Sequence, residues 1–331
     1  MFVDLHVHLR GTMTRATVNK LANRNGISLP SAIMDAPRYG WTNFTSFLHA
    51  YDQIASVVRT AHDVEEIAYD HLRSAAANGA GYLEFMLSTP HERRPGPSYS
   101  DQIAAIDAAA ERALDETGIE CRVIATAVRH LGPAAAVEAA RVAAASGSPR
   151  VTGFGLTGDE RQFKVSLFQE AFSIARANGL MATAHAGEHL HAETIIEAIE
   201  TLKLDRVGHG VTASKSPAVM RQLAEAKMPL EICLSSNLAL RIFQDLSSHP
   251  IARFAEAGCL IVLGTDDPAF FGTSISREYS LACEMQPHLL RPERISRDAI
   301  NAAFCDEATK ARLRARVSDV RNLRSQDANV A

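Results

Sequence analysis

Eight short apolar runs alternate with helix-like stretches, and this alternation limits the fold more than any other feature of the chain. The runs are 2–9, 80–87, 120–128, 151–157, 180–186, 206–211, 229–235 and 260–265. Their apolar character is strand-like. Between them, 101–117 carries Ile103, Ile106, Ala110 and Leu114 on one helical face and stops at Gly118. Residues 134–145 are alanine-rich. Residues 166–178 open with Ser166-x-x-Gln169, a capping-box pattern, and stop at Gly179. Ser216-Pro217 opens 217–226 as a cap and first-turn pair, and Pro250 opens 250–257. Strand followed by helix, repeated along the chain, predicts an α/β protein in which 1–331 form a single (β/α)8 TIM barrel domain. A doubly wound open sheet is the second choice. It is disfavoured because no glycine-rich fingerprint follows the first strand.

One connection breaks the rhythm. The chain leaves strand 1 and returns to strand 2 through a long helical insertion, about 12–78, with helix-like pieces at 14–25, 43–58 and 62–78. Leu29-Pro30, Pro37 and Gly40-Trp41 join them. In a barrel, such an insertion lies over the end where active sites form. Trp41, Phe44, Phe47, Leu48 and Tyr51 are therefore candidates to line or cover a pocket, with Phe44 and Phe47 the expected substrate contacts. A helical tail follows from about 290 to 331. Its Lys310, Arg312, Arg314 and Arg316 read as a solvated helix face.

Composition excludes several classes of partner. A net charge of −4 gives no electrostatic case for nucleic acid or an anionic membrane. No apolar run is long enough to span a bilayer. Met1-Phe2-Val3-Asp4 has no basic segment of a secretion signal, so a cytoplasmic location is expected. The five cysteines are an odd number without C-x-x-C spacing and read as reduced thiols. A small-molecule substrate is the expected partner. Barrels of this size often associate, so a homo-oligomer is left open.

The chemistry sits at the ends of the apolar runs. In Asp4-Leu5-His6-Val7-His8-Leu9, alternation places both imidazoles on one side of a strand. The fifth run ends in His185-Ala186-Gly187-Glu188, the sixth holds Gly208-His209-Gly210, and the eighth ends in Thr265-Asp266-Asp267-Pro268. Such groups are costly in apolar runs unless something pairs with them. A metal accounts for all four runs together. Three imidazoles and one carboxylate, with room for water, suit a catalytic zinc that acidifies that water. His189 and His191 read as residues at a helix start. His49, His62, His71, His91, His130, His249 and His288 read as surface or packing residues.

In order and position these motifs resemble those of the adenosine deaminase family. Leu156-Thr157-Gly158-Asp159-Glu160 resembles its strand-4 motif and Ser235-Ser236-Asn237 its strand-7 motif, so the likeness runs from residue 3 to about 280. The resemblance implies a (β/α)8 barrel with one Zn2+ per chain and hydrolytic loss of the amino group of a 6-aminopurine. His6, His8, His185 and Asp266 would then bind the metal. Glu188 would protonate purine N1, and His209 would orient the attacking water. Asp267 would hydrogen-bond to N7, and the backbone of Gly158 to N3. The expected substrate is adenosine or a derivative. The alternative is adenine or an anionic derivative, such as aminodeoxyfutalosine or a nucleoside monophosphate.

One residue departs from the pattern. Adenosine deaminases usually have aspartate, and adenine deaminases glutamate, where this chain has Arg10. A guanidinium there suits a carboxylate or phosphate on the substrate. The opposing expectation is that Arg10 turns outward or pairs with Asp35. Leu234, where the family often has proline, touches loop geometry only. Two other readings compete. A two-metal hydrolase of the same fold would want a strand-4 lysine, and none occurs before Lys164. A non-enzymatic binding protein would have no need of the full set of ligands, acid and base.

Overall fold

Seven of the eight strands begin at the first residue of an expected run, and the eighth, β5, begins one residue late. They are β1 (Phe2–His8), β2 (Ala80–Ser88), β3 (Glu120–Val128), β4 (Val151–Thr157), β5 (Met181–Ala186), β6 (Arg206–His209), β7 (Pro229–Ile232) and β8 (Leu260–Leu263). In this computed structural model, residues 1–34, 39–88 and 96–327 are described, the last ten without their side chains. Pro37, His91 and Asp35 lie outside them. The strands pair in parallel in sequence order. A parallel bridge between Val7 and Asp266 joins the two ends. It is made by His8 N–H to the Asp266 carbonyl at 2.8 Å and Asp266 N–H to the His6 carbonyl at 2.7 Å. The result is a nearly closed (β/α)8 barrel.

Among the described residues, four α-helices fall between β1 and β2, as the insertion requires: α1 (Arg15–Asn25), α2 (Ser31–Met34), α3 (Phe44–Ala55) and α4 (Ala61–Ala77). The barrel helices that follow are α5 (Tyr99–Thr117), α6 (Pro133–Ala144), α7 (Gln169–Ala177), α8 (Glu193–Leu202), α9 (Pro217–Glu225), α10 (Leu234–Ala239) and α11 (Ile251–Glu256). After β8 come α12 (Pro268–Phe271), α13 (Ile275–Met285), α14 (Pro292–Ala302) and α15 (Glu307–Asp327). No helix among the described residues is long and apolar enough to cross a membrane.

Several local expectations are corrected. The Ser166-x-x-Gln169 box does not form: Val165–Phe168 is a 3-10 turn, and α7 starts without a side-chain cap. Val165 and Phe168 are buried there, so apolar packing sets the entry to the helix. Pro217 does occupy the first turn of α9, but the Ser216 side chain does not cap it. The runs for β6 and β7 overshoot. Val211 belongs to a 3-10 turn and Leu234 opens α10, both fully buried, and burial asks for apolar residues whatever the backbone does. The helix start read at His189 and His191 comes too early and was given no range: α8 begins at Glu193 and buries Ile195, Ala198 and Leu202. The basic stretch of α15 is not simply solvated. Arg312 pairs with Glu120 at 2.8 Å, and Arg316 donates to the Gly118 carbonyl at 2.7 Å, fastening the helix beside the start of β3.

The barrel interior is partly ionic. Arg206 at the start of β6 is fully buried and donates to Glu84 on β2 and Glu231 on β7, each at 2.6 Å. Its guanidinium lies 3.5 Å from the centre of the Phe304 ring. A buried guanidinium is tolerated only with such partners. Through Glu231 this network reaches the far end of β1.

Candidate active site

His6 and His8, two apart at the end of β1, both face into the barrel mouth. Glu231 Oε2 lies 2.7 Å from His6 Nδ1. Thr183 Oγ1 and Arg206 Nε hold the other Glu231 oxygen at 2.9 and 2.6 Å. This partnership favours the proton on Nδ1 and leaves Nε2 as a lone pair aimed at the site. Burial works against a charged His6, but the bond and charge of Glu231 outweigh it and raise its pKa. Asp4, on the same strand, accepts from Thr265 Oγ1 at 2.6 Å and so ties β1 to the end of β8. Burial pushes its carboxyl up to about 7.

The other strand ends bring their groups to the same place. Ring centres lie 4.8 Å apart for His6 and His185, 4.9 Å for His6 and His209, and 4.7 Å for His185 and His209. Asp266 Oδ1 is 3.2 Å from His8 Nε2, and Ser236 Oγ donates to Asp266 Oδ2 at 2.6 Å. His209 and Asp266 both have left-handed backbones, with φ of 63° and 61°. Such conformations cost about 1–3 kcal/mol each and persist where surrounding structure imposes them.

The cluster fits a cation. His6 Nε2, His185 Nε2 and both ring nitrogens of His209 are buried without a hydrogen-bond partner among the described residues. One ligand atom from each of His6, His8 and His185 lies within 4.8 Å of the others, and the same holds for His6, His209 and Asp266. Unpaired lone pairs at this spacing are expensive unless an ion takes them. Burial raises the Asp266 carboxyl, but His8, His209 and His6 outweigh it and hold it well below the usual carboxylate range. Burial pushes His185 well down and His209 down to about 3, so both imidazoles are neutral.

Glu188 and Asp267 behave in the opposite way. Burial, with help from Asp266 and Glu160, lifts the Glu188 carboxyl well above its ordinary value. Its Oε2 lies 3.8 Å from His209 Nε2. Burial and the neighbouring Asp266 charge lift Asp267 likewise, and its Oδ1 is buried without a hydrogen-bond partner among the described residues. Gly11 makes room for that oxygen: a β-carbon on Gly11 would sit 1.8 Å from Asp267 Oδ1. Gly11→Ala should therefore displace Asp267, costing about 1–3 kcal/mol in stability and raising KM. Denaturant melts and steady-state kinetics check this. An unchanged KM would show that Asp267 does not hold substrate.

Above the cluster is a cavity of about 280 Å3, near the lower end of small-molecule sites. It contains His8, His185, Glu188, His209, Asp266 and Asp267, with Gly158 on one side. Phe44, Phe47, Leu48 and Tyr51 of α3 also line it, as expected for the insertion. Trp41 is not on the wall; it packs on Phe47 and Phe271 instead. Arg10 is on the wall, and its Nη2 donates to Gln102 Oε1 at 3.3 Å, so the guanidinium does not turn outward. His130, read as a surface or packing residue, also lines the cavity. His189 is not at a helix start, because α8 begins at Glu193; its ring packs 4.2 Å from Phe44. Glu231, Ser236 and Gly11 support the site and were given no role in it. Glu231 had a signal: it is a carboxylate inside an apolar run, like the histidines.

A parallel barrel with imidazoles and carboxylates gathered at its carboxyl ends, beside a buried acid whose pKa burial raises, defines a hydrolase of the amidohydrolase class. The chain belongs to the adenosine deaminase family, whose sequence model, described as "Adenosine deaminase", matches residues 2–320. It is 42% identical over 323 residues to an adenine deaminase of Chelativorans sp., covering 96% of this chain and 98% of that protein. The solved adenine deaminase of Arthrobacter aurescens superposes with a TM-score of 0.86 at 25% identity, covering 97% of this chain and 99% of that one. An amidohydrolase from Burkholderia ambifaria with bound Zn superposes with a TM-score of 0.89 at 27% identity, covering 100% and 93%. The protein is thus a deaminase enzyme of purine metabolism.

Proposed function

We propose that this enzyme hydrolyses the 6-amino group of adenine, releasing ammonia and the 6-oxopurine, with one zinc ion held by His6, His8, His185 and Asp266. The observation that carries the reading is Glu188, a buried acid whose pKa burial raises, beside imidazoles whose ring nitrogens lack partners among the described residues. The high identity to an adenine deaminase over nearly the whole of both chains supports the free base over a nucleoside. Bound zinc supplies the Lewis acidity that makes water a nucleophile at neutral pH.

The side chains divide the remaining work. Attack at C6 moves electron density onto N1, where the Glu188 proton stabilises the transition state more than the ground state. Neutral His209, 3.8 Å from Glu188, accepts a proton from the attacking water. Asp267, kept protonated by burial and Asp266, donates to N7. The Gly158 N–H donates to N3. Phe44 and Phe47 cover the ring. The C6–O bond forms, the C6–N bond breaks, and the amine leaves as ammonia. We assign the whole chain to one catalytic domain. Free thiols, three of them buried, fit a reducing cytoplasm.

A second reading extends the substrate. The cavity continues past the cluster to Arg10, Ser56, Arg59 and Gly96, which favours an adenine derivative with an anionic group toward Arg10. The test is a panel of adenine, adenosine, adenosine monophosphate and a carboxylate-bearing adenine nucleoside, assayed with the native enzyme and Arg10→Ala. Adenine as the best substrate, little changed by the substitution, supports the first reading. A preferred anionic substrate whose rate falls at least tenfold in Arg10→Ala supports the second.

A further inference from the structure

Of the strand-4 motif, only Gly158 has a place in the chemistry above, yet Glu160 is a carboxylate beside the site that accepts three hydrogen bonds, all from backbone N–H groups. It is buried, and it does not face the cavity. Its Oε1 accepts from the Glu188 N–H at 3.1 Å. Its Oε2 accepts from the His189 N–H at 3.3 Å and the Leu190 N–H at 3.2 Å. Three consecutive backbone N–H groups thus converge on one carboxylate, the arrangement of an anion-binding nest. Residues 187–192 belong to neither β5 nor α8, so no strand ladder or helix supplies partners for these groups. Gly187, with φ of 69°, turns the chain so that they point together. Without Glu160 the buried Glu188 N–H and the half-buried N–H groups of His189 and Leu190 would lose these partners, and the loop would have reason to move.

We propose that Glu160 is the positioning residue for Glu188, fixing the acid through its backbone. This rests on Glu188 being the acid. Arg129 braces the same corner from behind. It donates to the His185 carbonyl at 3.3 Å and the Phe163 carbonyl at 3.4 Å, and its charge faces Glu160. Asp159 and Arg161 extend the brace to the lid. Arg161, paired with Asp159 at 2.7 Å, lies over the Phe44 ring at 5.5 Å, and Phe44 packs on His189. The strand-4 loop therefore holds both the acid's backbone and the residue of α3 that covers it. An ångström-scale displacement of a catalytic group lowers rate by about 10²-fold.

The test is a double-mutant cycle on the zinc-loaded, full-length enzyme, using Glu160→Gln, Glu188→Gln and the pair. Glutamine keeps the shape but turns an N–H donor toward backbone N–H donors. The expected result is a kcat lowered about 10- to 100-fold, KM within about threefold, and bound zinc still near one per chain. In the Glu188→Gln background the same substitution should cost nothing further, because there is no acid left to misplace. Should Glu160→Gln fail to fold, Glu160→Asp, which keeps the charge and shortens the reach, is run through the same cycle with the same expectation. An unchanged kcat in the single variant, or a full multiplication of losses in the pair, overturns the proposal. If Glu188→Gln itself keeps the native rate, it is the acid assignment that fails.

Discussion

Glu188→Gln lowers kcat by on the order of 10²–10⁴-fold, the usual contribution of a positioned general acid, while the fold and the bound metal are retained. Glutamine fills the same buried space and can still accept a hydrogen bond, but it has no proton to give to N1. The side chain is almost entirely buried, so no water takes over the role. The native carboxyl is held neutral chiefly by burial, and the neutral amide therefore adds no desolvation cost to the folded state. Melting temperature should change little. Steady-state kinetics, zinc content and thermal melts on one preparation check all three. A variant with native kcat would remove Glu188 from the chemistry.

Asp266→Asn weakens zinc binding by more than the 10- to 100-fold that loss of an outer partner of a ligand costs, and activity falls with occupancy. The carboxylate brings the one negative charge among the proposed ligands, and His8, His209 and His6 hold it ionised. Asparagine tolerates the left-handed backbone at this position, so the substitution tests charge rather than strain. Competition with a chelator measures the affinity, and activity against added zinc measures the consequence. An affinity within a few-fold of native would exclude Asp266 as a ligand.

The barrel was legible because its signal is repeated. β3 and β4 run over the expected residues, since strands buried on both faces leave apolar runs bounded by polar turns. The runs overshot at Val211 and Leu234 because those buried side chains lie in turns and helix starts, where apolar character carries no period. Glu193–Leu202 was given no range, only a start placed early at His189 and His191, although its buried face has helical spacing. The groups at the mouth were legible because histidine and aspartate stand out in apolar runs. Their supports were less so. The pairing of His6 with Glu231 spans 225 residues, and no local pattern announces it. Gly11 matters only because the chain brings Asp267 beside it. The exchange of Trp41 for His130 on the cavity wall is set by tertiary packing, which turns Trp41 onto Phe47 and Phe271. The substrate was least legible: motifs for attack at C6 are the same whether N9 carries a sugar or nothing. Similarity over the whole chain moves the reading from a nucleoside toward adenine.

The most direct test is to strip the native protein of metal, restore one equivalent of zinc, and follow adenine in 18O-labelled water. The account predicts one ammonia and one labelled 6-oxopurine per adenine consumed, with the rate lost on stripping and regained at one zinc per chain. Stoichiometric zinc binding without ammonia release from adenine or any other 6-aminopurine would contradict it.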